Sequence, residues 1–196
     1  MISPAQPILS KPIRFTPEHY FYLSEHNMLG EGRTELINGE IIKMPSQLDE
    51  HAWAVTQSSD WLRSVFSKSK FWVRVQMTLH CASNVPEPDL AVIHEPMKPS
   101  RTYMTGDRSV LVIEISDSTL LADTHIKPAV YAGGGVNEYW VVDLQHRRLI
   151  VHRDPTTANG SRMRSRYRSV TIFDESQSVS CLAAPKRSVK VSKLLP

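Results

Sequence analysis

The chain has 196 residues, 41% hydrophobic and 22% charged, with a formal net charge of +3. This length and balance fit one globular domain and exclude wholesale disorder, coiled coil and collagen. No uncharged apolar run approaches the ~18–20 residues of a membrane span, the first residues do not read as a secretory leader, and Cys81 and Cys181 lack the CxxC spacing of a zinc site or a disulfide framework, so a soluble cytoplasmic protein is expected.

Residues 1–13 read as a loose, flexible arm, and 14–196 as a single domain. Thr16-Pro17 has the form of a helix N-cap followed by a first-turn proline. It opens a short helix that faces Tyr20 and Leu23 inward. Asn38-Gly39, between two apolar stretches, is a hairpin signal. Ser46 is the expected cap of the next helix. In that helix Ala52, Val55, Ser59, Leu62 and Val65 or Phe66 recur at helical spacing, with Trp53 and Trp61 as packing residues.

From 71 to 81 the period changes to two. Val73, Val75, Met77 and Leu79 alternate with Arg74, Gln76, Thr78 and His80, the pattern of a half-buried strand. Pro86 and Pro88 break it, and 89–93 is a second strand. A proline-rich loop runs to Gly106. VLVIEI at 110–115 reads as a central strand covered on both faces. A helical stretch over 123–132 ends at Gly133-Gly134-Gly135. EYWVVD at 138–143 is another buried strand. The runs 149–152 and 167–173 form an antiparallel pair across a polar loop, and Val189 and Val191 mark a small edge strand. A mixed sheet with helices packed on it follows, an α/β or α+β domain.

Charge is unevenly spread. Residues 1–143 carry 12 Lys and Arg against 17 Asp and Glu, whereas 144–196 carry 11 against 3. Arg147, Arg148, Arg153, Arg162, Arg164, Arg166 and Arg168 face only Asp154 in the sequence around them. Such a hairpin attracts polyanions, or is simply a solvated basic surface.

Glu114 is the informative residue. A carboxylate within the most apolar strand is costly unless paired, hydrogen-bonded or bound to a cation; otherwise it sits at a strand end facing water. Asp89 opens the neighbouring strand, as a ligand or as a turn cap. Together the two carboxylates, with the Ile115 carbonyl and waters, make a hard-oxygen site suited to Mg²⁺ or Mn²⁺. Such an ion polarises a phosphodiester and lowers the pKa of water. Lys127, 13 residues beyond Glu114, can reach back to steady the developing charge, or is a surface lysine. Glu35 can add a ligand or orient water, or is a surface glutamate.

Five segments occur in order: TELINGE at 34–40, PEPDLAV at 86–92, VIEISDS at 112–118, Lys127-x-x-x-Tyr131 and VNEYWVVD at 136–143. The set resembles the Uma family of bacterial proteins, long a domain of unknown function within the PD-(D/E)XK superfamily. The resemblance spans Arg14 to Pro196. It implies a restriction-endonuclease-like fold, with a mixed central sheet flanked by helices and a C-terminal antiparallel hairpin. It also implies that Asp89 and Glu114 are the metal-binding acids and that Lys127, migrated to a helix, replaces the lysine usually found where Ser116 stands. Glu35 matches the family's acidic residue ahead of the first hairpin. His51 and Gln76 match residue types common in the family and are placed at the periphery of the site. Pro128 directly follows Lys127, which puts Lys127 at a helix cap. The glycine run at 133–135 is looser than the family's usual sequence.

The leading expectation is a Mg²⁺- or Mn²⁺-dependent endonuclease acting on DNA, with Asp89, Glu114, Lys127 and Glu35 catalytic and a homodimer implied by the resemblance. Two alternatives keep the fold without catalysis: a nucleic-acid-binding protein using the arginine hairpin, with Arg147, Arg148, Arg162, Arg164 and Arg166 as its contacts, or a dimeric interaction protein. Other chemistries lack their motifs. There is no G-x-S-x-G around Ser116, no Lys-Ser/Thr after the glycines, and no HExxH among eight histidines.

Overall fold

In a computed structural model, residues 12–98, 103–158 and 161–196 are described, with the side chains of 157–164 left out. Most of the predicted arm therefore lies outside the described residues. Helix α1 (Pro17–Glu25) starts as the sequence predicts: the Thr16 hydroxyl accepts from the His19 amide, the His19 ring nitrogen accepts from the Thr16 amide, and Tyr20 is buried. Strands β1 (Thr34–Ile37) and β2 (Glu40–Lys43) pair across Asn38 and Gly39, with φ of 52° and 78°. Two successive left-handed residues are what a two-residue hairpin turn demands. β1 is wholly buried because its other edge bonds Val85, Leu36 N to Val85 O at 3.1 Å and the reverse at 2.8 Å.

Helix α2 (Asp49–Val65) begins later than the sequence predicts. Leu48, not Ser46, is its N-cap, and no side chain closes it. Asp49 and Glu50 in the first turn supply the favourable charge instead. The buried stripe is Ala54, Val55, Ser58, Ser59 and Leu62, so Ala52 turns outward and Trp53 remains 41% exposed. Trp61 does pack, stacked on Trp140 at 5.6 Å.

The main sheet has six strands in the order β3-β4-β5-β6-β7-β8. They are β3 (Trp72–Val75), β4 (Leu90–Ile93), β5 (Ser109–Ser116), β6 (Tyr139–Asp143), β7 (Arg148–Ala158) and β8 (Ser161–Asp174). Only β5 and β6 run parallel, and both are covered on the two faces. One face packs on α2 and the C-terminal Val191, Leu194 and Leu195. The other packs on α4 (Lys127–Gly133) through Val130 and Tyr131. Between β5 and α4 lies the short helix α3 (Leu120–His125), so the one helical stretch predicted over 123–132 is two, broken at Ile126 ahead of Pro128.

Three further elements differ from the sequence pattern. The strand predicted to run to residue 81 ends at Val75, because Gln76 turns to φ 50° and its side chain reaches Asp89. Arg74, read as a solvent-facing residue, is buried over the Trp72 ring at 5.1 Å. The last hairpin is longer than the pair 149–152 and 167–173, since β7 and β8 stay paired to Ala158 and Ser161. A two-stranded sheet, β9 (Ser178–Ser180) and β10 (Ser188–Lys190), holds Val189, while Val191 starts a short 3-10 turn. No helix among the described residues is long and apolar enough to cross a membrane.

The glycine run is tightly packed rather than loose. Gly134 caps α4 by donating to Val130 O at 3.0 Å, and a Cβ there would fall 2.6 Å from the Cys81 Cβ. Gly134→Ala should therefore cost ~1–3 kcal/mol through overpacking. The check is the urea midpoint at unchanged slope; an unaltered midpoint would mean that the 81 and 106 loops give way freely.

Candidate active site

The antiparallel register Leu90↔Ile113 sets Asp89 opposite Glu114. Side chains alternate along a strand. Ile113 and Ile115 enter the core on the α2 side, so Glu114 projects toward α4. Asp89 is held by three donors: the Ile115 amide on Oδ2 at 2.9 Å, His51 Nε2 on Oδ2 at 3.1 Å and Gln76 Nε2 on Oδ1 at 3.2 Å. Burial pushes its carboxyl up, but the His51 bond and charge, the Ile115 amide and Gln76 outweigh it and hold Asp89 below its ordinary value. His51 and Gln76, assigned to the periphery from sequence, are thus direct partners of Asp89. Ile115 directs its N–H at Asp89, and its carbonyl lies on the same strand edge.

Lys127 is the first residue of α4, where Pro128 places it, and it is 5% exposed. Its Nζ lies 2.8 Å from Glu114 Oε1, 3.3 Å from Glu35 Oε1 and 3.4 Å from Asp123 Oδ1. Glu35, Asp89, Glu114 and Lys127 therefore converge, as the sequence predicts. Glu35 Oε1 also accepts the Glu87 amide at 2.7 Å. Glu114 takes further bonds from the Tyr131 hydroxyl at 2.5 Å and, at 3.3 Å, from the Asp89 amide.

Asp123 was not among the acids singled out from sequence. It is 1% exposed, accepts the Thr119 hydroxyl on Oδ2, and leaves Oδ1 with no hydrogen bond. Its i,i+4 spacing to Lys127 was the available signal.

Four carboxylates around one ammonium cannot all ionise in a dry site. Burial lifts Glu35 above its usual range and pushes Glu114 up to about 8; Lys127 opposes the shift of Glu114, while Asp123, Asp89 and Glu35 add to it. Burial alone would lower Lys127, but the facing acids carry it well above its ordinary value. The facing acids thus favour the charged ammonium, while burial favours the protonated form of Glu114.

A recess with about 40 Å³ of room opens on this cluster, between Met44–Leu48 and Asp117–Thr119. One water needs ~10–15 Å³ on the same measure, so two or three fit. Among the described residues no group of three or more His, Cys, Asp or Glu side chains forms a metal cage. The donors present instead match Mg²⁺, which takes one or two carboxylates and keeps its waters. Asp89 and Glu114, with the Ile115 carbonyl, are the residues that could hold it.

The arginine hairpin supplies no residue to the lining of the recess, although the turn that opens it adjoins that lining, Gln145 Nε2 lying 3.5 Å from Asp117 Oδ1. Arg148 pairs with Asp143 at 2.7 Å, Arg153 with buried Glu138 at 2.7 Å and Arg147 with Glu175 at 2.8 Å. The sequence reading, in which only Asp154 opposed these residues, is corrected: the opposing acids come from β6, the residue just before it and the chain after β8. Arg166 and Arg168 are exposed, and the side chains of Arg162 and Arg164 lie outside the described residues.

Residues 17–192 match the Uma2 family model, described as "Putative restriction endonuclease". Among solved structures, the chain is similar to a crystal structure from Anabaena variabilis ATCC 29413, titled as a "putative nuclease belonging to DUF820". The likeness has a TM-score of 0.70 at 16% identity, over 93% of this chain and 97% of that one. It shows a shared nuclease-like fold. No curated protein matches.

Two outcomes follow from the charge cluster. Lys127→Met should destabilise by ~3–5 kcal/mol in urea unfolding, because it strands buried acids. Glu114, with its carboxyl raised from 4.5 to about 8, contributes stability that is complete below 4.5 and lost as pH rises to about 8. His152, buried and lowered from 6.5 to about 4, acts in the opposite sense, its contribution being lost as pH falls from 6.5 to about 4. The unfolding temperature in EDTA should therefore fall between pH 6.5 and 8, and Glu114→Gln should flatten that slope; parallel profiles would contradict it.

Proposed function

The chain belongs to the Uma2 family, and we propose that it is a Mg²⁺- or Mn²⁺-dependent nuclease that hydrolyses phosphodiester bonds in DNA. The observation that carries this reading is the Asp89–Glu114 pair at the bottom of an open recess, with the Lys127 ammonium 2.8 Å from Glu114. A divalent cation bound by those acids supplies Lewis-acid polarisation of the phosphate and a water of lowered pKa.

The chain's own residues do the rest. Asp89 is fixed before any ligand arrives, since the Ile115 amide, His51 and Gln76 leave it one orientation. A cation held by Asp89 and Glu114 would favour the ionised form of Glu114, which burial otherwise disfavours. Lys127, held by Glu35, Glu114 and Asp123, keeps a positive charge beside the reacting phosphate, where it steadies the attacking water and the charge of the transition state. Glu35 orients that ammonium from the β1 side. A homodimer would present two such centres, one for each strand of a duplex. The ion pairs of Arg147, Arg148 and Arg153 reduce the free basic charge on which a purely nucleic-acid-binding role would depend.

Calorimetric titration of Mg²⁺ and Mn²⁺ tests this proposal, with plasmid and single-stranded DNA as cleavage substrates. The parent should bind metal and cut. Asp89→Asn should lose the binding heat and the cutting while keeping its fold, and Glu114→Gln should lose cutting. Absence of metal binding at millimolar concentration, with and without a short DNA, or variants that cut like the parent, would overturn it.

A further inference from the structure

Arg33 immediately precedes β1, and its carbonyl accepts the Met44 amide at 2.9 Å, which extends the β1–β2 pairing by one step. That bond holds Arg33 at the open end of the hairpin, against the loop that walls the recess, and its side chain lines the recess itself. Its Nε donates to Glu87 Oε1 at 2.5 Å. The two terminal nitrogens make no hydrogen bond among the described residues, and the side chain is 30% exposed. Glu87 in turn is tied to the catalytic cluster, its amide donating to Glu35 Oε1, which faces Lys127. The guanidinium is thus braced at one end and open at the other.

The charges around the recess give that open end a use. Lys127 is buried and surrounded by Glu35, Glu114 and Asp123, so little of its charge reaches the mouth. Asp89, Asp117 and Asp123 also line the recess. Lys127 and His51 are engaged by the acids, which leaves Arg33 as the basic side chain of the lining with donors to offer an approaching phosphate. A phosphodiester carries one negative charge on two non-bridging oxygens, and a guanidinium held through Nε presents two parallel donors that match them. Glu87, on Nε, fixes the plane of the fork without occupying its outer edge.

We propose that Arg33 is the phosphate clamp of this site, gripping a backbone phosphodiester of the nucleic acid at the mouth of the recess. This inference rests on the nuclease reading. It assigns the nucleic-acid contact to the β1–β2 hairpin beside the acids, where the sequence had pointed to the arginine hairpin.

The test is fluorescence anisotropy of a labelled short DNA duplex with Ca²⁺ as the divalent ion, over a series of salt concentrations, with gels confirming that the probe stays intact. Arg33→Gln should weaken binding about tenfold or more and reduce the slope of log K against log salt by about 0.9, the value of one lost phosphate contact. Arg33→Lys should keep the slope and recover only part of the affinity, since an ammonium cannot fork. Calorimetric metal binding should match the parent in both variants. If Arg33→Gln binds DNA with the parent's affinity and slope, the clamp is overturned and the nuclease reading stands. If the parent binds no duplex in the presence of metal, both fall. Should Arg33→Gln fail to fold, Arg33→Lys decides: full parental affinity overturns the bidentate grip.

Discussion

Three carboxylates share one buried ammonium with a fourth beside them, and much of the structure is arranged to make that possible. Glu35, Glu114 and Asp123 approach Lys127 within 3.4 Å from three different elements, and Asp89 lies directly beside them. Such a group is unstable alone, since each charge would have to leave water without full compensation. The protein tolerates it by supplying donors at nearly every oxygen: the amides of Glu87, Asp89 and Ile115, the Tyr131 and Thr119 hydroxyls, and His51 and Gln76. Among the described residues, Asp123 Oδ1 is buried without a hydrogen bond, and Asp123 lines the recess. Stability is given up there, as expected where binding rather than folding sets the residues.

The sheet provides the rigidity this requires. β5 and β6 are buried on both faces, so the Glu114 backbone cannot shift without disturbing two cores. The α3–α4 break turns the chain at Ile126 and brings Lys127 over the strand end. Gly134 and Gly106 let the far end of α4 close on Cys81 with no room for a methyl group. The β1 hairpin, bonded to Val85, carries Glu35 in from one side and Arg33 to the rim.

The other end of the chain works differently. Glu138 is fully buried and is satisfied by Trp140, Arg153 and the Leu182 amide, which fastens the last segment to β6. Arginines that look from their sequence like a polyanion surface are partly structural, because acids distant in the chain meet them in space. Charge read along a chain cannot show this, since ion pairing depends on which strands become neighbours.

Much of the machinery was legible in the residues. The central strands followed from apolar runs, the first hairpin from Asn38-Gly39, and the first helix from Thr16-Pro17, because each rests on local chemistry. A carboxylate inside VLVIEI stands out for the same reason, and the order of the five segments singled out Asp89, Lys127 and Glu35. Where the pattern misled, nonlocal contacts had overridden it. Gln76 left its strand to bond Asp89, Ala52 rotated outward because the sheet claimed Ala54 and Ser58, and Asp123 joined the cluster only once a helix broke. The sequence by itself determined most of the elements and the acids Glu35, Asp89 and Glu114, for these depend on local propensity and on the cost of burying charge. Only the tertiary structure decided which donors hold Asp89, that one ammonium serves three acids, and that Arg33 stands open at the mouth, because strand register and helix packing alone bring those residues within hydrogen-bonding distance.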